Sequence, residues 1–295
     1  MTQGINPNPF ASAELLVKEV NVLVSLPEIC LRLREILAAP DHSRKEVADV
    51  LKYDPAMSSR VLRIVNCAYF GLPSRVQNIS QALGILGEQE LKNLVFVSAI
   101  VKRLTSSAQG MDIQRFWKSS VLAAVCARNL GKQAHNTAQE ELFLTGLMLN
   151  IGKLVLYTKE PVLYATMAQL KDITRTDFGM EQDLLGYDHC EVGALLARQW
   201  NFSEQLSQSI AHHHDNPGTT TGAHQVVMHF AAWFSDQLYN TDSCDPASLE
   251  PYPFQTILLD KLGMLFETGY GLLEQSVVEY LQIYEAFCGD SPDVH

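Results

Sequence analysis

Two stretches of this sequence, Phe116–Leu130 and Glu141–Tyr157, are apolar on most faces when wound as helices. Such helices cannot lie on a surface, so the chain must supply amphipathic helices to enclose them. It does so from the start. Ser25 with Glu28 and Ser43 with Glu46 read as capping boxes, each opening a short helix. Asp54-Pro55 joins an N-cap to a proline at the first helical position, and Met57, Val61, Ile64, Val65 and Ala68 keep helical spacing until Gly71 and Pro73 stop the run. Ser80 is the expected cap before Ala82–Leu86, and Gly87 turns the chain into a helix carrying Leu91, Leu94, Val95, Val101 and Leu104.

After a polar break at Thr105–Gly110 and the two apolar helices, Pro161–Leu170 predicts a further helix, followed by a less regular stretch to Gly186. Asp188 with Glu191 resembles a capping box opening His189–Trp200, and Ser203 caps a predicted helix over Glu204–His214. Asn216–Gly222 reads as a linker, but the following helix, His224–Tyr239, is apolar enough to pack back on the bundle. Thr241–Pro253 is an acidic loop, and Phe254–Phe266 and Leu272–Phe287 form a last amphipathic pair. With no valine-rich alternation of period two, the fold class is all-α, a two-lobed helical bundle.

Charge narrows the function classes. The formal net charge is -11, and from Ala223 onward eleven Asp and Glu face the single basic residue Lys261. An acidic chain lacks the Lys and Arg surplus that releases counterions from nucleic acid, so no nucleic-acid partner is expected. The first residues lack the basic-then-apolar order of a secretory signal, and no long apolar span marks a membrane partner, so the expected location is the cytoplasm. The six cysteines, scattered without a CxxC pair, read as reduced packing thiols and not as a thiolate zinc site.

The segment SSRVLRIVNCAYFGLPSRVQNISQALGILGEQELKNLV, from Ser58 to Val95, resembles the opening signature of the HDOD family, bacterial signalling domains related to HD-type phosphohydrolases. The likeness continues in order through FWKSSVLAA, GLMLNIGKLVL, DHCEVGALLARQW and SIAHHHD. It implies an HDOD domain over residues 15–239, with an N-terminal helical lobe to about residue 105 and a degenerate HD-like lobe over 111–239. The acidic loop and helical pair of 240–295 are expected to pack on it.

HD-type hydrolases hold one or two divalent metals with imidazole and carboxylate ligands that activate a bound water. At the positions the resemblance assigns to those ligands, this chain has Ser119, Leu149, Asn150 and Ala232. Leucine and alanine offer no lone pair, and neutral Ser and Asn hold a dication weakly. The expectation is therefore no metal, no cofactor and no catalytic residue. His189, His213 and His214 remain, with His212, Asp215 and His229 nearby; they read as core histidines or as a residual metal or proton site. Adjacent residues on a helix diverge by about 100°, so a tight site at His213 and His214 needs ligands from other helices.

Asn66 sits in the otherwise apolar LRIVNCAYF run and reads as a buried amide that bonds a neighbouring loop, or one that fixes the Gly71–Asn78 loop for a partner. Arg60, Arg63 and Arg75 cluster near it as a candidate interaction surface for an anionic ligand or an acidic partner. Arg128, Lys153 and Arg198 are the basic side chains expected near the old pocket. The leading expectation is a non-catalytic signalling module whose partners are other signalling proteins or a small anionic ligand. The alternatives are a metal-dependent phosphohydrolase with a rearranged site, and a nucleotide second-messenger sensor that binds without hydrolysis.

Overall fold

The structure, a computed structural model, describes residues 12–23, 28–66, 72, 74–105, 111–134, 139–170, 177–216, 218, 222–241 and 255–288, and among these every regular element is a helix. The first six helices are α1 (Ala13–Leu23), which packs on α12 (His189–Gln199), then α2 (Glu28–Ala38), α3 (Arg44–Lys52), α4 (Pro55–Val65), α5 (Ile79–Leu86) and α6 (Glu88–Thr105). Ser43 and Glu46 form the full capping box of α3. Asp54 accepts from the Met57 N–H at 2.9 Å and caps α4 with Pro55 in its first turn. Ser25 lies outside the described residues. At α5 the cap is Asn78 and not Ser80: Asn78 Oδ1 accepts from the Gln81 N–H at 3.0 Å. Asn is a strong N-cap, and starting there places Ile79 in the core as well.

The chain continues with α7 (Ile113–Gln133), α8 (Gln139–Met148), α9 (Ile151–Lys159), α10 (Pro161–Leu170), α11 (Asp177–Leu185), α12, α13 (Glu204–Ala211) and α14 (Ala223–Thr241), followed by α15 (Gln255–Leu262) and α16 (Phe266–Cys288). α7 is the central helix. From Phe116 to Gly131 only Lys118 and Arg128 escape full burial, and α8, α14 and α16 pack around it. α7 and α8 meet backbone to backbone, since a Cβ on Gly146 would stand 2.6 Å from the Ala124 Cα.

Three sequence expectations need correction here. Glu141–Tyr157 is not one helix: the chain turns at Leu149-Asn150, where the Leu149 N–H reaches the carbonyl of Gly146 three residues back at 3.4 Å. The turn re-aims α9 toward α12, which it meets so closely that a Cβ on Gly152 would lie 1.9 Å from the carbonyl oxygen of His189. The described part of the stretch before Gly186, from Asp177, is not irregular, because α11 occupies it; residues 171–176 lie outside the described residues. Its sequence has little amphipathic pattern, and tertiary contact with α12 supports it instead. Third, α13 ends at Ala211, with His212 as its C-cap, so His213 and His214 lie in a turn and not on the helix.

The C-terminal pair also divides differently from the sequence reading. Gly263, at φ +66°, ends α15 after Leu262, and α16 begins at Phe266 instead of Leu272. α16 packs along α7 and touches α4. The Asn129 amide of α7 donates to Ser276 Oγ and Glu279 Oε2, both at 3.1 Å. The run Glu141–Lys159 is long and apolar enough by composition to cross a membrane, but 83% of it is buried inside the bundle.

Candidate functional site

The site lies where the break after α8, the start of α12 and the turn after α13 converge. Asp188 caps α12 by accepting from the N–H groups of Cys190 and Glu191 at 2.8 and 3.0 Å. This fixes the first turn of α12 and with it His189 and Cys190, both buried. Because His213 and His214 sit in a turn, the 100° divergence of helical neighbours does not apply to them. Both rings fall within ring-contact distance of His189, with centroids 5.4 and 5.2 Å away. Donor atoms of His189, Cys190, His213 and His214 all lie within 4.8 Å of one another.

Each ring is oriented from behind. Glu181 Oε2 accepts from His189 Nδ1–H at 2.6 Å and from the His189 backbone N–H at 2.8 Å, while the Tyr164 hydroxyl donates to Glu181 Oε1. His213 Nδ1–H donates to the Ile210 carbonyl at 2.7 Å. Since carboxylates and carbonyls only accept, both hydrogen bonds set the ring tautomer and leave Nε2 as the free-facing nitrogen. The Nε2 atoms of His189 and His213 lie 3.6 and 3.9 Å from Cys190 Sγ. His214 Nε2 is buried with no hydrogen-bond partner. By contrast His212 and Asp215 pair with each other at 2.8 Å on the exposed side.

Electrostatics follow from burial. Desolvation first, then the neighbouring rings and Lys153, hold the His213 and His214 imidazoles well below the ordinary histidine range, so both stay neutral. Burial, reinforced by Asp188 and Glu181, pushes the Cys190 thiol well up. Burial would also raise the Glu181 carboxyl, but its contact with His189, with help from Lys153 and Tyr164, outweighs it and holds the group below its usual range. Lys153, on α9, is itself buried and pairs with Asp177 at 3.7 Å.

The assigned HD-ligand positions Ser119, Leu149, Asn150 and Ala232 are all buried. Ser119 spends its hydroxyl on the Phe116 carbonyl at 2.9 Å, and Asn150 Oδ1 has no hydrogen-bond partner. These residues do not fit a carboxylate-bridged pair of metals, because Glu181 is committed to His189 and Tyr164 and Asp188 to the helix cap. The donor set that does converge is three imidazoles and a thiol.

The other sequence candidates lie elsewhere. Asn66 bonds Val76 in both directions, donating to its carbonyl at 2.8 Å and accepting from its N–H at 2.7 Å, which pins the loop before α5. Arg60 donates to the Ser98 carbonyl at 3.1 Å and so ties α4 to α6, Arg63 is half-buried and Arg75 is exposed. Arg198 forms a two-pronged pair with exposed Glu204 at 2.9 and 3.2 Å, and Arg128 is half-buried in α7. Sequence reasoning missed Glu181, hidden in the stretch read as irregular, and Cys190, whose only signal was its place beside His189.

An all-helical bundle with buried histidines beside the break between α8 and α9 is an HD-like fold. The HDOD domain profile matches residues 23–216, and the chain belongs to the HDOD domain family. A candidate phosphohydrolase from Shewanella amazonensis is similar over 92% of this chain and 98% of its own, with 27% identity and a TM-score of 0.71. An HDOD domain protein of unknown function from Geobacter sulfurreducens, 23% identical over 92% of this chain and 96% of its own, shares the fold with a TM-score of 0.66. Among curated relatives, an uncharacterised Treponema pallidum protein is 23% identical over 70% of this chain; the chain spans 40% of that protein's length. Membership of this family and the likeness to these structures give the chain an all-helical, HD-like fold.

Proposed function

We propose that this module is non-catalytic and transmits signals by binding, either to other signalling proteins or to a small anionic ligand. The observation that carries the reading is the turn at Leu149-Asn150. By the resemblance, HD enzymes have a His-Asp ligand pair there, and this chain offers a fully buried leucine and a neutral amide. One turn further on lies the buried Lys153, whose ammonium bears on His213 and is paired with Asp177 at 3.7 Å.

The test is to incubate the full chain with manganese, magnesium, iron or zinc and a panel of nucleotides, cyclic dinucleotides and simple phosphoesters, beside a His213→Ala/His214→Ala variant. The expected result is no metal-dependent turnover. Turnover that needs metal and disappears in the variant overturns the reading. A non-hydrolysing nucleotide sensor is favoured over a pure adaptor only by the orphaned Asn150 Oδ1 beside the Lys153 turn. Thermal-shift screening against the same nucleotides separates the two, since a ligand bound to the native state raises the melting temperature.

A further inference from the structure

We infer that His189, Cys190, His213 and His214 form a closed binding site for one borderline-soft divalent cation, zinc by its chemistry.

The geometry carries this. Zinc bonds of about 2.3 Å to sulfur and 2.0–2.1 Å to nitrogen, set at tetrahedral angles, put a nitrogen and a sulfur about 3.5 Å apart. His189 Nε2 and His213 Nε2 stand 3.6 and 3.9 Å from Cys190 Sγ, so small side-chain adjustments bring both to a common centre. The supporting bonds are those of metal-bound histidines, in which the ring nitrogen away from the metal donates to a carboxylate or a backbone carbonyl. His189 has Glu181 in that role and His213 has the Ile210 carbonyl.

His214 supplies an independent observation. Its Nε2 is buried without a hydrogen-bond partner, at a cost that a ligand bond would remove.

Charge is consistent with a dication. The charged groups bearing on Cys190 are Asp188, Glu181 and Lys153. Once the thiol gives up its proton to solvent on binding, the thiolate and the carboxylates of Asp188 and Glu181 offset the dication, while Asp177 offsets the Lys153 ammonium. Four protein ligands leave no open position for a nucleophilic water, so the site is structural or regulatory and agrees with a non-catalytic module.

The test uses the full chain, stripped with a chelator and titrated with cobalt(II) as a spectroscopic probe for zinc. The expected result is one equivalent bound, with the intense visible bands of tetrahedral cobalt and a thiolate-to-cobalt band in the near ultraviolet. Cys190→Ser should lose the thiolate band. Glu181→Gln, which keeps all four donors, should weaken binding about 10–100-fold. His212→Ala, on the exposed side, should bind as the parent does. Should Cys190→Ser fail to fold, the zinc X-ray absorption spectrum of the parent must show one sulfur and three nitrogens. Absent binding, an octahedral spectrum, or loss of binding in His212→Ala with Cys190→Ser unchanged overturns the inference.

Discussion

Glu181 and His189, eight residues apart in sequence and on different helices, form a fully buried pair with Oε2 and Nδ1 separated by 2.6 Å. Tyr164 and the His189 N–H complete the carboxylate's partners. Removing one member of a buried pair strands the other in a low dielectric. Glu181→Ala should therefore destabilise the protein by about 3–5 kcal/mol. Tyr164→Phe, which removes one bond to the charged oxygen, should cost about 1.5–3 kcal/mol. Urea denaturation of the three proteins checks the order; a Tyr164→Phe more damaging than Glu181→Ala would contradict it.

Gly152 is required by contact. Its missing Cβ would meet the His189 carbonyl oxygen at 1.9 Å and the Gly193 N at 2.9 Å, both backbone atoms that no rotamer change can move. Overpacking commonly costs about 1–3 kcal/mol, and Gly152→Ala should reach or exceed the top of that range. Gly84, helical with nothing within 4 Å of its missing Cβ, provides the control: Gly84→Ala should stabilise by about 0.4–1 kcal/mol. Denaturation midpoints of both variants decide the matter.

Leu149 is wholly buried at the turn between α8 and α9. Leu149→Met keeps volume and polarity and should cost less than about 1.5 kcal/mol. Leu149→His brings a polar ring without co-ligands and should cost about 1–3 kcal/mol more, from desolvation alone. A Leu149→His variant that is more stable than the parent and gains metal-dependent hydrolysis would show the HD site to be intact but for one residue.

His224 is buried and neither ring nitrogen has a partner. Burial lowers its tendency to take a proton below that of an ordinary histidine, with Glu141 opposing the shift only in part. Between the folded value and the unfolded value of about 6.5, the unfolded chain binds more protons. Stability from this group is therefore present above that unfolded value and is lost as pH falls through the window. Melting curves from pH 7.5 to 5.5 should show a smaller acid decline for His224→Leu than for the parent.

The helical class was decided locally. The Ser43–Glu46 box, the Asp54-Pro55 start and the Ser203 cap all form as their residue types dictate, because a cap needs only groups within four residues. The unbroken burial of α7 likewise follows from a run of apolar residues that no surface could accept. The site was decided at long range. Nothing local announces that α8 and α9 divide at Leu149-Asn150, that α13 stops before His213, or that weakly patterned α11 folds and delivers Glu181 to His189. Those outcomes depend on the backbone approach at Gly152 and on buried polar groups finding partners across helices, and such contacts exist only once the bundle has closed.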